Sequence, residues 1–265
     1  MKVYISVDIE GVTGVTSWKE TELGEAQHKQ AAEQMKREAL AACQGALDAG
    51  VDEIWLHDSH DSGMNLWIDG FPKEVKVIRN WMGTPDSMMA GIDESFAAAI
   101  CIGYHSEGGT DSNPLSHTMD YGSIFTCRAN GELMSELELN RYVCAKYGVP
   151  VVFVSGDQAL CEKAVRVIPG IETVPTKEGM GGATINRSPE LVCEEIRAGV
   201  AKALKAEPAP ALDPETPLTL EIMYRRHRDA KRAGYYPGVC QVDAHTVRYE
   251  AKDLKDFITT FYFIH

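Results

Sequence analysis

The sequence predicts an α/β fold of three layers, a mostly parallel sheet with helices on both faces, followed by a smaller C-terminal α+β subdomain. Three observations predict it. Strand-like and helical runs alternate over residues 1–206. The strands are apolar nearly end to end, as strands covered on both faces must be. The pattern then changes after a proline-rich segment.

The elements follow in order. "KVYISV" is a β-prone run that ends in Asp8 and Glu10. A long helix is predicted over residues 25–49, then the strand "VDEIWLHD". Next come the strand "AAAICIGYH", a helix through "GELMSELELNRYVCAKYG", the strand "VPVVFVSGD" and the helix "QALCEKAVRVI". Ser188 and Pro189 suit the N-cap and first turn of a helix reaching residue 206. "KAEPAPALDPETPL" holds four of the twelve prolines and reads as an extended connector. Beyond it lie "LTLEIMY", a charged helical stretch, "VCQVDAHTVRYEA" and a final helix "DLKDFITTFYFI". The expected division is an α/β domain carrying the site over 1–206, a connector over 207–217, and a subdomain over 218–265 packed on the first.

Charge excludes some partners. Lys and Arg number 26 against 39 Asp and Glu, and a net charge of −13 repels phosphate backbones and anionic lipid. No nucleic acid and no membrane are therefore expected as partners. No apolar run is long enough to span a bilayer, and the acid-ended N-terminal strand is unlike a signal peptide. Seven scattered cysteines with no CxxC pair predict reduced, packed thiols and a cytoplasmic location.

Three strands end alike. "KVYISV" runs into Asp8 and Glu10, "EIWLHDS" into His60, and "AAAICIGY" into His105. Residues two apart on a strand point the same way, so Asp8 and Glu10 project together. Ligands gather beyond the carboxyl ends of parallel strands, at a switch point in strand order. A lone carboxylate there is usually a cap or loop anchor; the recurrence at one edge is what points to a site.

Helical geometry adds a fifth residue. Along "LMSELELNRYVCAKY", the apolar positions occupy an arc of about 160°, and Glu136 and Asn140 fall inside it. A buried carboxylate needs a cation or strong donors, either a metal or a core Lys or Arg. Together Asp8, Glu10, His60, His105 and Glu136 offer three carboxylates and two imidazoles, a donor set that suits zinc. Five ligands exceed what one catalytic zinc uses. They fit two metals about 3.5 Å apart sharing a bridging carboxylate, with Asp8 the better candidate for the bridge. Asp58 is a candidate acceptor for orienting an imidazole, or else an Asx turn. Asn140 is a second candidate behind the ligands.

"SVDIEG", "HDSH", "GYHS", "LSHTM" and "SELELN", in this order and spacing, resemble the DppA-type D-aminopeptidases, a family of dinuclear zinc peptidases. The resemblance covers most of the chain and weakens past the connector. It implies that Asp8, Glu10, His60, His105 and Glu136 match the zinc ligands, two Zn²⁺ per chain, and that His117 of "LSHTM" matches a catalytic histidine. It also implies small peptides with an N-terminal D-residue, D-alanyl ones especially, as substrates, and a ring-shaped homo-oligomer. Two features depart from the pattern. Ser135 and Glu138 stand where small residues are expected, and the Gly- and Asp-rich segment over 106–116 bears on substrate preference.

Residues alone say less about His117, which is either a hydrogen-bonded structural histidine or a proton donor to the leaving amine. On chemical grounds, metal-activated water is preferred over imidazole as the nucleophile. His28 on the long polar-faced helix, His57 one residue out of phase with Asp58, His227 in the charged run "RRHR" and His265 at the terminus are weaker candidates. So is His245 on a late strand, where it packs or lines a subunit contact, and "GMGG" reads as a flexible loop rather than a phosphate loop. Two other readings stand beside the peptidase: a metal-dependent hydrolase of another amide or a phosphate ester, and a peptide- or metal-binding module without turnover.

Overall fold

The computed structural model describes residues 1–207, 210–212 and 217–265. The chain runs β1 (Lys2–Val7), α1 (His28–Asp48), β2 (Glu53–Asp58), β3 (Val75–Ile78), β4 (Ala98–Tyr104), β5 (Ile124–Ala129) and β6 (Glu132–Leu133). It continues through α2 (Glu136–Lys146), β7 (Val151–Asp157), α3 (Gln158–Val167), β8 (Glu172–Met180), β9 (Ala183–Asn186) and α4 (Pro189–Lys205). After the connector come β10 (Leu218–Tyr224), α5 (His227–Ala233), β11 (Cys240–Gln241), β12 (Thr246–Ala251) and α6 (Leu254–Ile264).

Seven strands form the main sheet in the order β3-β2-β1-β4-β7-β8-β9. The first six pair in parallel and β9 returns antiparallel. Alternation along β1 divides the core in two. Val3, Ile5 and Val7 pack with Met35 and Ala39 of α1 and with Ile196 and Val200 of α4 on one face. Tyr4 faces the other side, with Leu137 of α2, Leu160 of α3 and Leu220 and Ile222 of β10. The three-layer arrangement expected from near-continuous apolar strands is the one observed.

The second sheet, β11-β12-β10-β5-β6, is antiparallel where its pairs are registered. It departs from the expected division. β5 and β6 come from the middle of the chain, yet β5 pairs with β10 and β6 with β5, so the sheet crosses the boundary placed between 1–206 and 218–265. The connector expected over 207–217 lies largely outside the described residues.

Two turns were hidden in longer patterns. The helix expected through "GELMSELELN" starts only at Glu136, because Asn130 and Gly131 form a two-residue hairpin turn between β5 and β6. Both have positive φ, 51° and 87°, as the twist of a tight hairpin requires. "GMGG", read as a flexible loop, is the tip of the β8–β9 hairpin, with Met180 opposite Ala183. The cysteines are all unpaired and five are buried. Among the described residues no helix is long and apolar enough to cross a membrane.

Candidate metal centre

Strand order sets the location. The chain steps outward from β1 to β2 and β3, then returns to place β4 on the other side of β1, so the order reverses between β1 and β4. The backbones stay in register past the strand ends, with Asp8 N donating to Ile102 O and Gly11 N to Gly103 O, both at 2.8 Å. Gly103 makes this approach possible: its φ is +71°, and a Cβ there would lie 2.3 Å from the Asp8 carbonyl oxygen.

The five expected residues meet at this edge, all buried. Nδ1 of His60 lies 3.2 Å from Asp8 Oδ1 and 3.0 Å from Glu10 Oε2. Nε2 of His105 lies 3.5 Å from Asp8 Oδ2 and 3.4 Å from Glu136 Oε1. His117 joins them, its Nε2 3.5 Å from the same Glu136 oxygen and its ring stacked on His105 at 4.2 Å. The potential donor atoms thus form two groups of metal-binding type, Asp8–Glu10–His60 and His105–His117–Glu136.

Each imidazole is oriented by its outer nitrogen. His60 Nε2 donates to the Thr21 carbonyl at 2.8 Å, His105 Nδ1 to Ser106 O at 2.9 Å, and His117 Nδ1 to Leu115 O at 2.8 Å. A backbone carbonyl that holds the proton on one nitrogen leaves the other nitrogen's lone pair for the centre, as metal-ligating histidines require. The carboxylates are under-satisfied. Asp8 Oδ2, Glu10 Oε2 and His105 Nε2 are buried without a hydrogen bond. Oxygen and imidazole donors left orphaned within 3.5 Å of one another fit a divalent cation of zinc type.

The electrostatics say the same. Burial and the neighbouring Glu10 charge push the Asp8 carboxyl up to about 8. Burial also works to raise Glu10, but His60 outweighs it and holds that carboxyl well below its usual range. His105 is raised to about 10: burial opposes its charge, and Glu136 and Asp8 overcome burial. Without a metal, protonated imidazoles supply the positive charge that three buried carboxylates demand. His117 goes the other way, lowered by burial and by the charge of His105.

Glu136 is the first residue of α2, where a helix N-terminus favours an anion. The departures at Ser135 and Glu138 have a local reason. They form a reciprocal capping box, Glu138 N donating to Ser135 Oγ and Ser135 N to Glu138 Oε2. Glu138 also pairs with Lys163 at 2.6 Å, outside the centre.

Asp58 does not orient an imidazole. Its carboxylate accepts from Asn65 N, Asn65 Nδ2 and Leu66 N, so it anchors the loop that carries His60. Asn140 sits below the ligands rather than against them. Its Nδ2 donates to the Tyr104 hydroxyl at 2.8 Å, and that hydroxyl meets Ser6 Oγ at 2.6 Å. Ser6 continues the network to Ser59 at 2.7 Å, joining β1, β4 and α2 to the His60 loop.

Three supporting residues carried no sequence signal. Asn65 donates to the His60 carbonyl and accepts from His28, placing the dismissed His28 one step behind the centre. Lys177, fully buried and pushed by burial down to about 8, donates to the carbonyls of Glu10 and Val15 and so pins the Glu10 loop. His265, set aside in the sequence, lines the cavity above the centre. That cavity is about 670 Å³ and is also lined by Trp18, Glu22, Asp61, Asp120 and Tyr121.

Buried imidazoles and carboxylates, gathered at the switch point of a parallel sheet and open to a cavity, define a metal-dependent hydrolase. A match to the D-aminopeptidase family runs over residues 1–263. A D-aminopeptidase of Bacillus subtilis (strain 168) is 31% identical over 263 residues, 96% of this chain and 93% of that protein. A solved structure, the Zn-dependent D-aminopeptidase DppA from Bacillus subtilis, a self-compartmentalizing protease, superposes with a TM-score of 0.92 at 28% identity, covering 100% of this chain and 96% of that one. The chain belongs to the D-aminopeptidase family.

Proposed function

We propose that this chain is a zinc-dependent aminopeptidase hydrolysing short peptides with an N-terminal D-residue, D-alanyl ones first, with two zinc ions per chain. Asp8, Glu10 and His60 would hold one ion and His105, Glu136 and the second oxygen of Asp8 the other. The observation that carries this reading is the division of Asp8, whose two oxygens face two different imidazoles. A divalent ion bound there supplies Lewis acidity, polarising a carbonyl and acidifying water.

The chain's own groups do the rest. His117, neutral because burial and His105 lower it, has its Nδ1 proton held by Leu115 and its Nε2 free. It is placed to take up a proton and return it to the departing amine. Among the described residues, no lysine or arginine lines the cavity, whereas Glu22, Asp61 and Asp120 do. That lining suits the ammonium end of a peptide and disfavours a phosphate ester. The self-compartmentalizing nature of the similar Bacillus subtilis protease supports assembly of this chain as a ring-shaped homo-oligomer. Unpaired, mostly buried thiols support a cytoplasmic setting.

The test is hydrolysis of D-Ala-D-Ala, L-Ala-L-Ala and a chromogenic phosphate ester by purified protein before chelation, after it, and after zinc is returned. Cleavage of the D-dipeptide alone, abolished by chelation and restored by zinc, is expected. Activity that survives chelation, or turnover of the phosphate ester in preference, overturns the reading. Peptide binding with no turnover under any metal would leave the binding-module reading instead.

A further inference from the structure

One short segment touches both halves of the centre without supplying any of its donor atoms. Residues 18–20 form a 3-10 turn, closed by a capping box between Ser17 and Glu20. From its end the Thr21 carbonyl receives the His60 Nε2 proton at 2.8 Å. From its start the Trp18 indole stands edge-to-face against the His117 ring, centroids 5.3 Å apart at 70°. The same indole stacks on Tyr121 at 3.9 Å and 18°, and the Tyr121 hydroxyl donates to Glu22 Oε1 at 3.1 Å. Residues 18–22 are therefore stitched to residues 117–121 along the cavity wall.

His117 needs such a contact. Its Nδ1 is tied to Leu115 O and one ring face lies parallel to His105 at 8°. A hydrogen bond at one nitrogen still lets an imidazole swing about that bond. An edge-to-face aromatic contact is directional and resists that swing.

We propose that Trp18 is a positioning residue for the reaction, holding the His117 imidazole so that Nε2 faces the centre, with Tyr121 and Glu22 bracing the indole. The proposal rests on the peptidase reading for His117. Misplacing an acid–base group by an ångström is enough for a loss of about a hundredfold, so a loosened ring loses less than that and more than nothing.

The experiment is a double-mutant cycle on zinc-loaded protein with D-Ala-D-Ala: Trp18→Ala, Trp18→Phe, His117→Ala and the Trp18→Ala, His117→Ala pair. Trp18→Ala is expected to lower kcat about tenfold with KM and zinc content little changed, Trp18→Phe to recover most of it, and the pair to match His117→Ala alone. Equal fold losses in both backgrounds, or a Trp18→Ala rate within about twofold of wild type, overturn the proposal. Tyr121→Ala, at a ring 42% exposed, carries the same cycle should Trp18→Ala fail to fold. A readout independent of turnover separates this from the peptidase reading. In histidine-labelled protein the NMR resonances of His117, assigned by their loss in His117→Ala, should shift and broaden in Trp18→Phe or Tyr121→Ala. Unmoved resonances overturn the positioning role even if wild type hydrolyses the dipeptide. Moved resonances in a protein inactive on every peptide support it while the peptidase reading falls.

Discussion

Asp8 presents its two carboxylate oxygens to two different imidazoles, Oδ1 at 3.2 Å from His60 Nδ1 and Oδ2 at 3.5 Å from His105 Nε2. Oδ1 also accepts from Ile9 N at 2.9 Å, whereas Oδ2 is buried with no hydrogen bond. A carboxylate in that position joins two donor groups that would otherwise be separate sites. Asp8→Asn should therefore weaken zinc binding in both and lower kcat at least about a hundredfold. Metal content by elemental analysis beside the rate checks it; retention of both equivalents with near-normal turnover contradicts it.

His117 makes the opposite prediction. Its removal leaves Asp8, Glu10, His60, His105 and Glu136 in place, so His117→Ala should keep its zinc while kcat falls by about 10²–10⁴. Loss of one equivalent of zinc in His117→Ala would instead make His117 a ligand of the His105–Glu136 group, with which it shares 3.5 Å geometry.

Removing the metal should reveal a pH dependence. Asp8 lies at about 8 in the folded chain against 3.8 ordinarily, and His105 at about 10 against 6.5. A value raised on folding contributes stability that is complete below the unfolded value and lost as pH rises through the folded one. Chelated protein thus loses stability from Asp8 as pH climbs from about 4 to about 8, and from His105 as it climbs from about 6.5 to about 10. A bound cation replaces those protons, so the Tm gap between zinc-loaded and chelated protein should widen from pH 6 to pH 9. A gap that narrows over that range contradicts the assignment.

Glu38 offers a test away from the ligands. It is wholly buried on α1, and burial lifts its carboxyl to about 7 despite bonds from Gln34 and Thr13. Its contribution is full below its ordinary 4.5 and lost as pH rises through about 7. Glu38→Gln keeps the acceptor for Gln34 and Thr13 and removes the titration. The fall in stability of zinc-loaded protein between pH 5 and 8, roughly 3 kcal/mol at most from this group, should flatten in denaturant titrations of the variant.

The centre was legible because it obeys a backbone rule. Asp8, Glu10, His60 and His105 each lie just past a parallel strand, and the period of α2 turned Glu136 inward. What stayed hidden depends on contacts far apart in sequence. Nothing near Lys177 announces that it pins the Glu10 loop, and the Trp18–His117 contact joins segments about a hundred residues apart. Asn130-Gly131 was a readable hairpin signal, overridden by the strong helical period that follows it. The second sheet escaped for a topological reason: β5 pairs with β10 across about ninety residues of chain that hold β7, β8 and β9 of the main sheet. Asp58, a candidate for orienting an imidazole, and Asn140, on the apolar arc of α2, both bond to the scaffold rather than to the imidazole rings.

That scaffold role is itself testable. Tyr104→Phe removes the hydroxyl that Asn140 and Ser6 share, leaving buried polar groups without a partner at a cost of about 1–3 kcal/mol. Stability should fall by that amount while zinc content and rate per folded chain stay close to wild type. A selective loss of one zinc equivalent would place Asn140 in the ligand shell instead.

Anomalous diffraction at the zinc absorption edge, on crystals of the zinc-loaded protein, tests the central claim most directly. Two peaks per chain about 3.5–4 Å apart are expected, one on each side of the Asp8 carboxylate. A single peak, or two that leave Asp8 outside both coordination spheres, would contradict it.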